Sequence, residues 1–243
     1  FILKGGVLVS AILGLDHRST MDVDATVKNL SLSLQSASQI VREIASVDME
    51  DGMRFEFKKI STITDEVDYP GIRIEMEATL DSMRTPLKID LTTGDVITPG
   101  EITYTYKLRL EDRTISIMAY NLETLLAEKL ETVLSRGTAN TRMRDFYDIY
   151  VLENLQGENI DRAILQTAFQ NTCENRASWE IACNWELILD EIQSDEGMAD
   201  LWENYKRKFD YASEIQWAEV LQSVRSLCEE QTFEMNMGFD LSL

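Results

Sequence analysis

Lys4-Gly5-Gly6-Val7-Leu8-Val9, followed by Arg18-Ser19-Thr20-Met21-Asp22-Val23-Asp24-Ala25-Thr26-Val27, is the stretch from which the fold of this chain can be read. The apolar run Leu8 to Leu13 follows two glycines, which suggests a glycine turn opening a helix. Asp22 to Val27 alternates polar and apolar residues, as a half-buried strand does. Residues i and i+2 of a strand share a face. Asp22 and Asp24 therefore project together, while Val23, Ala25 and Val27 point into a core. Two carboxylates on one face repel unless a cation lies between them, and hard oxygen ligands suit Mg²⁺. An exposed acidic strand edge would carry the same pair, so the rest of the chain has to decide.

Working outward, the first half reads as mixed α/β. Ser31 to Ile44 has helical spacing with Ser31 near its start as a cap. Strand-like runs follow at Arg54 to Ile63, Ile72 to Leu80, Leu87 to Leu91, Ile102 to Leu110 and Thr114 to Met118. Gly52, Pro70-Gly71, Pro86, Gly94 and Pro99-Gly100 read as the turns between them. The character changes near Tyr120. Proline disappears, and apolar residues recur at helical spacing from Leu122 to Leu134, Arg142 to Leu155, Ala163 to Phe169, Trp179 to Ile192, Met198 to Phe209 and Glu214 to Cys228. Asn121 is a candidate helix cap and Gly137 a candidate stop. The reading is an α/β domain over 1–119 and an all-helical domain over 120–243, with the tail from Thr232 to Leu243 frayed.

A chain of 243 residues can bury a sizeable core. No apolar run is long enough to span a membrane. Cys173, Cys183 and Cys228 lack metal-ligand spacing and suggest buried thiols in a reducing cytoplasm. His17 is the only histidine, which disfavours a histidine-based triad or zinc centre. The start, Phe1-Ile2-Leu3-Lys4, reads as a chain beginning inside a strand. The net charge is −20, divided as −6 over residues 1–115 and −14 over residues 116–243. Such a surface disfavours broad binding of phosphate backbones, so any polyanion needs a local basic cluster. Lys129, Arg136, Arg142 and Arg144 form one, although pairing with neighbours such as Glu131 and Asp145 is an equally good use for them.

Nucleotidyl transfer needs a loop that admits a triphosphate, metal ligands, a cation on the phosphates and an oriented acceptor hydroxyl. Gly5 and Gly6 permit close backbone approach, and the following helix would aim amides at a phosphate. Asp22 and Asp24 are the candidate Mg²⁺ ligands. A third carboxylate on a neighbouring strand could bridge a metal and act as base. Asp90, on one face with Lys88 and Thr92, is the best candidate, with Glu75 and Glu77 as fallback. Lys129 can meet phosphates as a point charge. Asp145 and Asp148 lie three apart on one helical face, where Asp145 could hold Lys129 or Arg142, or contact the nucleotide.

Taken in order, Leu3-Lys4-Gly5-Gly6, His17 to Asp24, Lys88 to Asp95 with Ile97-Thr98-Pro99, Glu123 to Leu130, and Asn140 to Asp148 resemble the nucleotidyltransferase family of AbiEii/AbiGii toxins. Those toxins belong to type IV toxin–antitoxin systems. The likeness covers residues 1 to about 155, with looser agreement at Ala168-Phe169 and Arg176. It implies a DNA-polymerase-β-like nucleotidyltransferase fold with a C-terminal helical domain. It implies metal binding by Asp22 and Asp24, nucleotide binding by Lys129 and a functional role for Asp145. The matched segments make Lys4, Gly5, Gly6, Arg18 and Thr20 further nucleotide-binding candidates. The resemblance also implies GTP or CTP as substrate, a tRNA or other RNA acceptor, and a DNA-binding antitoxin as partner. The chain departs from the wider fold in having Gly6 where many members have serine. Two other classes remain: an antibiotic-modifying nucleotidyltransferase, favoured by the acidic second half, and a non-catalytic module that binds a nucleotide or partner.

Overall fold

A computed structural model describes residues 1–14, 18, 20, 22–63, 71–108 and 112–231. His17 and the tail from Thr232 lie outside the described residues. The chain runs β1 (Ile2–Lys4), α1 (Gly5–Leu13), β2 (Asp22–Thr26), α2 (Leu34–Ala45), β3 (Arg54–Ile63), β4 (Gly71–Leu80), β5 (Met83–Thr92), β6 (Ile102–Lys107) and β7 (Thr114–Ala119). The helices then follow: α3 (Leu122–Arg136), α4 (Met143–Gln156), α5 (Arg162–Asn175), α6 (Trp179–Ala182), α7 (Trp185–Ser194), α8 (Glu196–Lys208) and α9 (Trp217–Glu229).

The strands form one seven-stranded mixed sheet in the order β3-β4-β5-β2-β1-β7-β6. β2 pairs antiparallel with β1 and parallel with β5, and β1 pairs parallel with β7. Register fixes the chemistry of one face. Lys4 lies opposite Asp24, Asp22 opposite Lys88, Asp24 opposite Asp90, and Arg73 of β4 opposite Asp90. Alternation sends Ala25, Ile74, Met76 and Leu91 to the other face, where Ala37 and Val41 of α2 cover them. α2 starts at a capping box in which the Ser33 hydroxyl accepts from the Ser36 amide. The cap is thus Ser33 rather than Ser31, because Ser36 sits three residues on from Ser33 and can return the hydrogen bond.

The larger core is continuous across residue 120. Ile2, Leu8, Val9, Ala119 and Tyr120 pack in one cluster with Leu126, Leu130, Phe146, Phe169 and Trp202 from the helices. α3 begins where the Asn121 side chain accepts from the Thr124 amide (2.8 Å) and stops at Gly137, whose φ of +49° suits glycine.

Several boundaries differ from the sequence reading. The first helix begins at Gly5 itself, one turn before the apolar run. Pro86 lies inside β5 rather than in a turn. It is opposite Glu77 of β4, while pairing with β2 begins only at Lys88, so its missing N–H falls where β5 has a neighbour on one side. β6 ends at Lys107, and residues 109–111 lie outside the described residues. Trp179 to Ile192 is two helices, broken at Cys183-Asn184.

Candidate active site

The turn that opens α1 presses directly on β2. Gly5 adopts φ +62°, and a Cβ at this position would fall inside the Asp24 carboxylate. Both the backbone conformation and the close approach therefore require glycine. The Gly6 amide donates to Asp24 Oδ2 (3.4 Å), so the first turn of α1 is aimed at this carboxylate. A Cβ on Gly6 would lie 3.0 Å from Arg18 Nη2 and 3.2 Å from Thr20 Oγ1, which places both side chains at the glycine turn. The Asp22 amide donates to Thr20 Oγ1 (3.3 Å).

Asp24 pays electrostatically for its position. Burial and the Asp90 charge push its carboxyl up to about 6 from the usual 3.8, while the Gly6 amide and the charges of Lys4 and Lys129 hold it down. Asp90 has its own counter-ion. Arg73 grips it in a bidentate pair, Nε to Oδ1 at 2.8 Å and Nη2 to Oδ2 at 2.6 Å. The Asp90 contact dominates in raising the pKa of Arg73, and the fields of Asp22 and Asp24 add to it. The guanidinium thus serves all three carboxylates.

Beside the carboxylates is a buried charge cluster joining the two halves of the chain. Asp148 is fully buried on α4 and accepts from Arg18 Nε (2.7 Å) and from Lys129 Nζ (2.7 Å). Lys129 also donates to Asp145 (3.1 Å), which is more exposed. Burial alone would raise Asp148, but Lys129 and Arg18 overcome it and hold the carboxyl below its usual range. Burial likewise opposes the charge on Lys129, and Asp148 and Asp145 more than restore it. A second cluster surrounds Lys4, which bonds Asp95 (2.9 Å) and Glu128 (3.4 Å) and lies over the Tyr120 ring. Asp95 also accepts from Thr26 and Thr92, and Glu128 meets Arg176 (3.1 Å).

The sequence candidates therefore divide. Gly5, Gly6, Arg18, Thr20, Asp22, Asp24 and Asp90 surround one end of β2, with Lys129 close enough to act on Asp24. Lys4 is occupied by Asp95 and Glu128. Of the fallback acids, Glu77 pairs with Lys58 (3.2 Å) and Arg84 (3.7 Å), and Glu75 lies opposite Lys88. Arg73 had no signal in the sequence, and Asp95 had one only as the end of the matched segment Lys88 to Asp95. Asp148 was visible as a neighbour of Asp145 and as the end of the matched segment Asn140 to Asp148, without a role of its own, yet it is the residue on which Lys129 and Arg18 converge.

The donor set suits a hard divalent cation: three carboxylates on adjoining strands, of which Asp24 is raised by burial first and by the Asp90 charge second. Among the described residues no three acidic, histidine or cysteine side chains are gathered as a finished metal cluster. Asp90 is held by Arg73 of β4, and one oxygen of Asp24 accepts from the Gly6 amide of α1.

Comparisons with known proteins agree with this architecture. Two crystal structures from Helicobacter pylori share the fold: one assigned as a nucleotidyltransferase, with TM-score 0.50 and 13% identity, and one of JHP933, with TM-score 0.50 and 12% identity. Each alignment covers 94% of this chain and 84% of the other. No curated protein sequence matches. Among the described residues no helix is long and apolar enough to cross a membrane. Residues 1–223 match the family described as nucleotidyl transferase AbiEii toxin, type IV TA system. The chain belongs to this AbiEii family of nucleotidyltransferase toxins, with the nucleotidyltransferase fold and a helical C-terminal part.

Proposed function

We propose that the protein is a Mg²⁺-dependent enzyme that moves a nucleotide from a nucleoside triphosphate, GTP or CTP, to an acceptor hydroxyl, such as that of a tRNA or another RNA. In this reading it acts in the cytoplasm as the toxin of an abortive-infection system, with a DNA-binding antitoxin as partner. Residues 1–119 supply the carboxylates and the glycine turn, and residues 120–243 supply Lys129 and its partners. The observation that carries the reading is the contact of the Gly5-Gly6 turn with Asp24, next to Asp22 and Asp90. It sets a helix N-terminus against a set of hard oxygen ligands, the combination that a metal-bound triphosphate needs.

Asp22, Asp24 and Asp90 would hold the metal. When bound, it would screen the phosphate charge and make the acceptor hydroxyl easier to deprotonate. The bare Gly5-Gly6 backbone lets a phosphate approach without a side chain in the way. Thr20 offers its hydroxyl at the same turn. Lys129 keeps Asp148 and exchanges the more exposed Asp145 for a phosphate oxygen. Arg18, held by Asp148, adds fixed positive charge beside Gly6. Asp90 takes the proton of the acceptor hydroxyl once Arg73 has released it.

The test is label transfer from each α-labelled nucleotide to total RNA in Mg²⁺. Wild type should label RNA from one or two nucleotides, and Asp22→Asn should not. Equal labelling by both proteins would overturn the reading. The charge of −14 over residues 116–243 favours a second reading, a cationic small-molecule acceptor, which the same assay detects as transfer that depends on an added aminoglycoside.

A further inference from the structure

Arg73 stands where a cation is wanted. Its guanidinium pairs with Asp90, bidentate at 2.8 and 2.6 Å, and lies in the field of Asp22 and Asp24. It reaches this place through register, because Arg73 of β4 is directly opposite Asp90 of β5 and Asp90 is opposite Asp24 of β2. A bidentate guanidinium–carboxylate pair is among the stronger contacts a carboxylate can make. The two partners are unequally placed: the Asp90 side chain is 17% exposed and that of Arg73 41%. The carboxylate is therefore fixed within the sheet, while the arginine has room to leave.

We propose that Arg73 is a resident counter-cation that competes with the divalent ion for Asp90 and, on release, turns to the triphosphate that arrives with the ion. This rests on the metal-site reading given above and adds to it an order of events. With no metal, Arg73 neutralises part of the acidic face. A divalent ion alone must displace it and leave the guanidinium without a partner. A metal–nucleotide complex brings both replacements at once, a cation for Asp90 and an anion for Arg73. Metal and nucleotide should consequently bind with positive coupling, each favouring the other. Arg73 acts here as a positioning residue for Asp90.

The test is equilibrium binding of Mn²⁺ as the probe, by electron paramagnetic resonance or calorimetry, to the full chain with and without a non-hydrolysable nucleoside triphosphate. Arg73→Met should bind Mn²⁺ alone about tenfold more tightly than wild type, about 1.4 kcal/mol. Its gain in Mn²⁺ affinity on adding nucleotide should be smaller than that of wild type. Arg73→Lys, which keeps the charge but loses the bidentate grip, should fall between the two. It carries the test if the methionine variant does not fold. Unchanged or weaker Mn²⁺ binding by both variants, with wild type binding measurably, overturns the role of Arg73 alone. Absence of Mn²⁺ binding in wild type and variants alike overturns the metal site and this inference with it.

Discussion

Asp24→Asn should stabilise the metal-free protein at the same time as it abolishes transfer. Burial and the neighbouring Asp90 raise the Asp24 carboxyl from 3.8 to about 6. The folded protein therefore binds this proton more tightly than the unfolded chain does. Stability falls wherever the folded state holds more protons, so the penalty grows as pH rises from about 4 and is complete above about 6. A shift of roughly two units corresponds to about 3 kcal/mol, of which about half develops between pH 5 and pH 8. Asparagine keeps an oxygen for the Gly6 amide and carries no charge at any pH. Urea unfolding in chelator at pH 5, 6.5 and 8 measures the difference between wild type and variant. The variant should gain on wild type by about 1.5 kcal/mol in total, nearly all of it between about pH 5 and pH 6.5, with the gap almost level from there to about pH 8. Added Mg²⁺ should then stabilise wild type at pH 8 and leave the variant unmoved. A gap between the two proteins that is constant with pH would refute the account of Asp24 as a strained, like-charged carboxylate.

Other substitutions probe the surrounding structure. Asp148→Asn removes the counter-charge of two buried cations, Arg18 and Lys129, and should cost about 3–5 kcal/mol in urea unfolding at pH 7. Because Asp148 is held below the usual carboxylate range, its stabilisation is complete at neutral pH and lost as pH falls through its folded value, so the gap to wild type should close in acid. Gly5→Ala combines φ +62° with a collision against Asp24, whereas Gly14→Ala meets φ +89° in open space. The first should cost about 2 kcal/mol or more and silence transfer, the second about 1 kcal/mol with transfer intact. Burial raises all three thiols, Cys173 up to about 12, but Cys173 and Cys228 are buried and Cys183 is only partly so, so iodoacetamide at pH 8 should modify native Cys183 first, read by intact mass.

The β2 segment was legible because its alternation is short-range: Asp22 and Asp24 share a face whatever the sheet around them does. The cap at Asn121 and the stop at Gly137 were legible for the same reason, since each acts on its own helix end. Arg73 was not. Its importance depends on which residue of β5 it faces, and that register is fixed by pairing across the whole strand. The sequence reading assigned the role to Asp145 rather than to Asp148, three residues on along α4, and only packing against Arg18 and Lys129 brings Asp148 forward. Lys4 was a nucleotide-binding candidate because it lies in the matched segment Leu3-Lys4-Gly5-Gly6; the acids that claim it, Asp95 and Glu128, come from segments 91 and 124 residues away.

The core that runs without interruption from Ile2 and Leu8 through Tyr120 to Trp202 has a genetic consequence. A chain ended early, after β7 or within the helices, would leave Leu8, Val9 and Ala119 without the partners that cover them. Such a product would not persist as a half-active enzyme; it would be a substrate for proteolysis. In any selection for loss of function, lesions should consequently scatter along the gene, frameshifts in the helical segment scoring as heavily as changes at Asp22 or Asp24. A protein built this way is easily silenced.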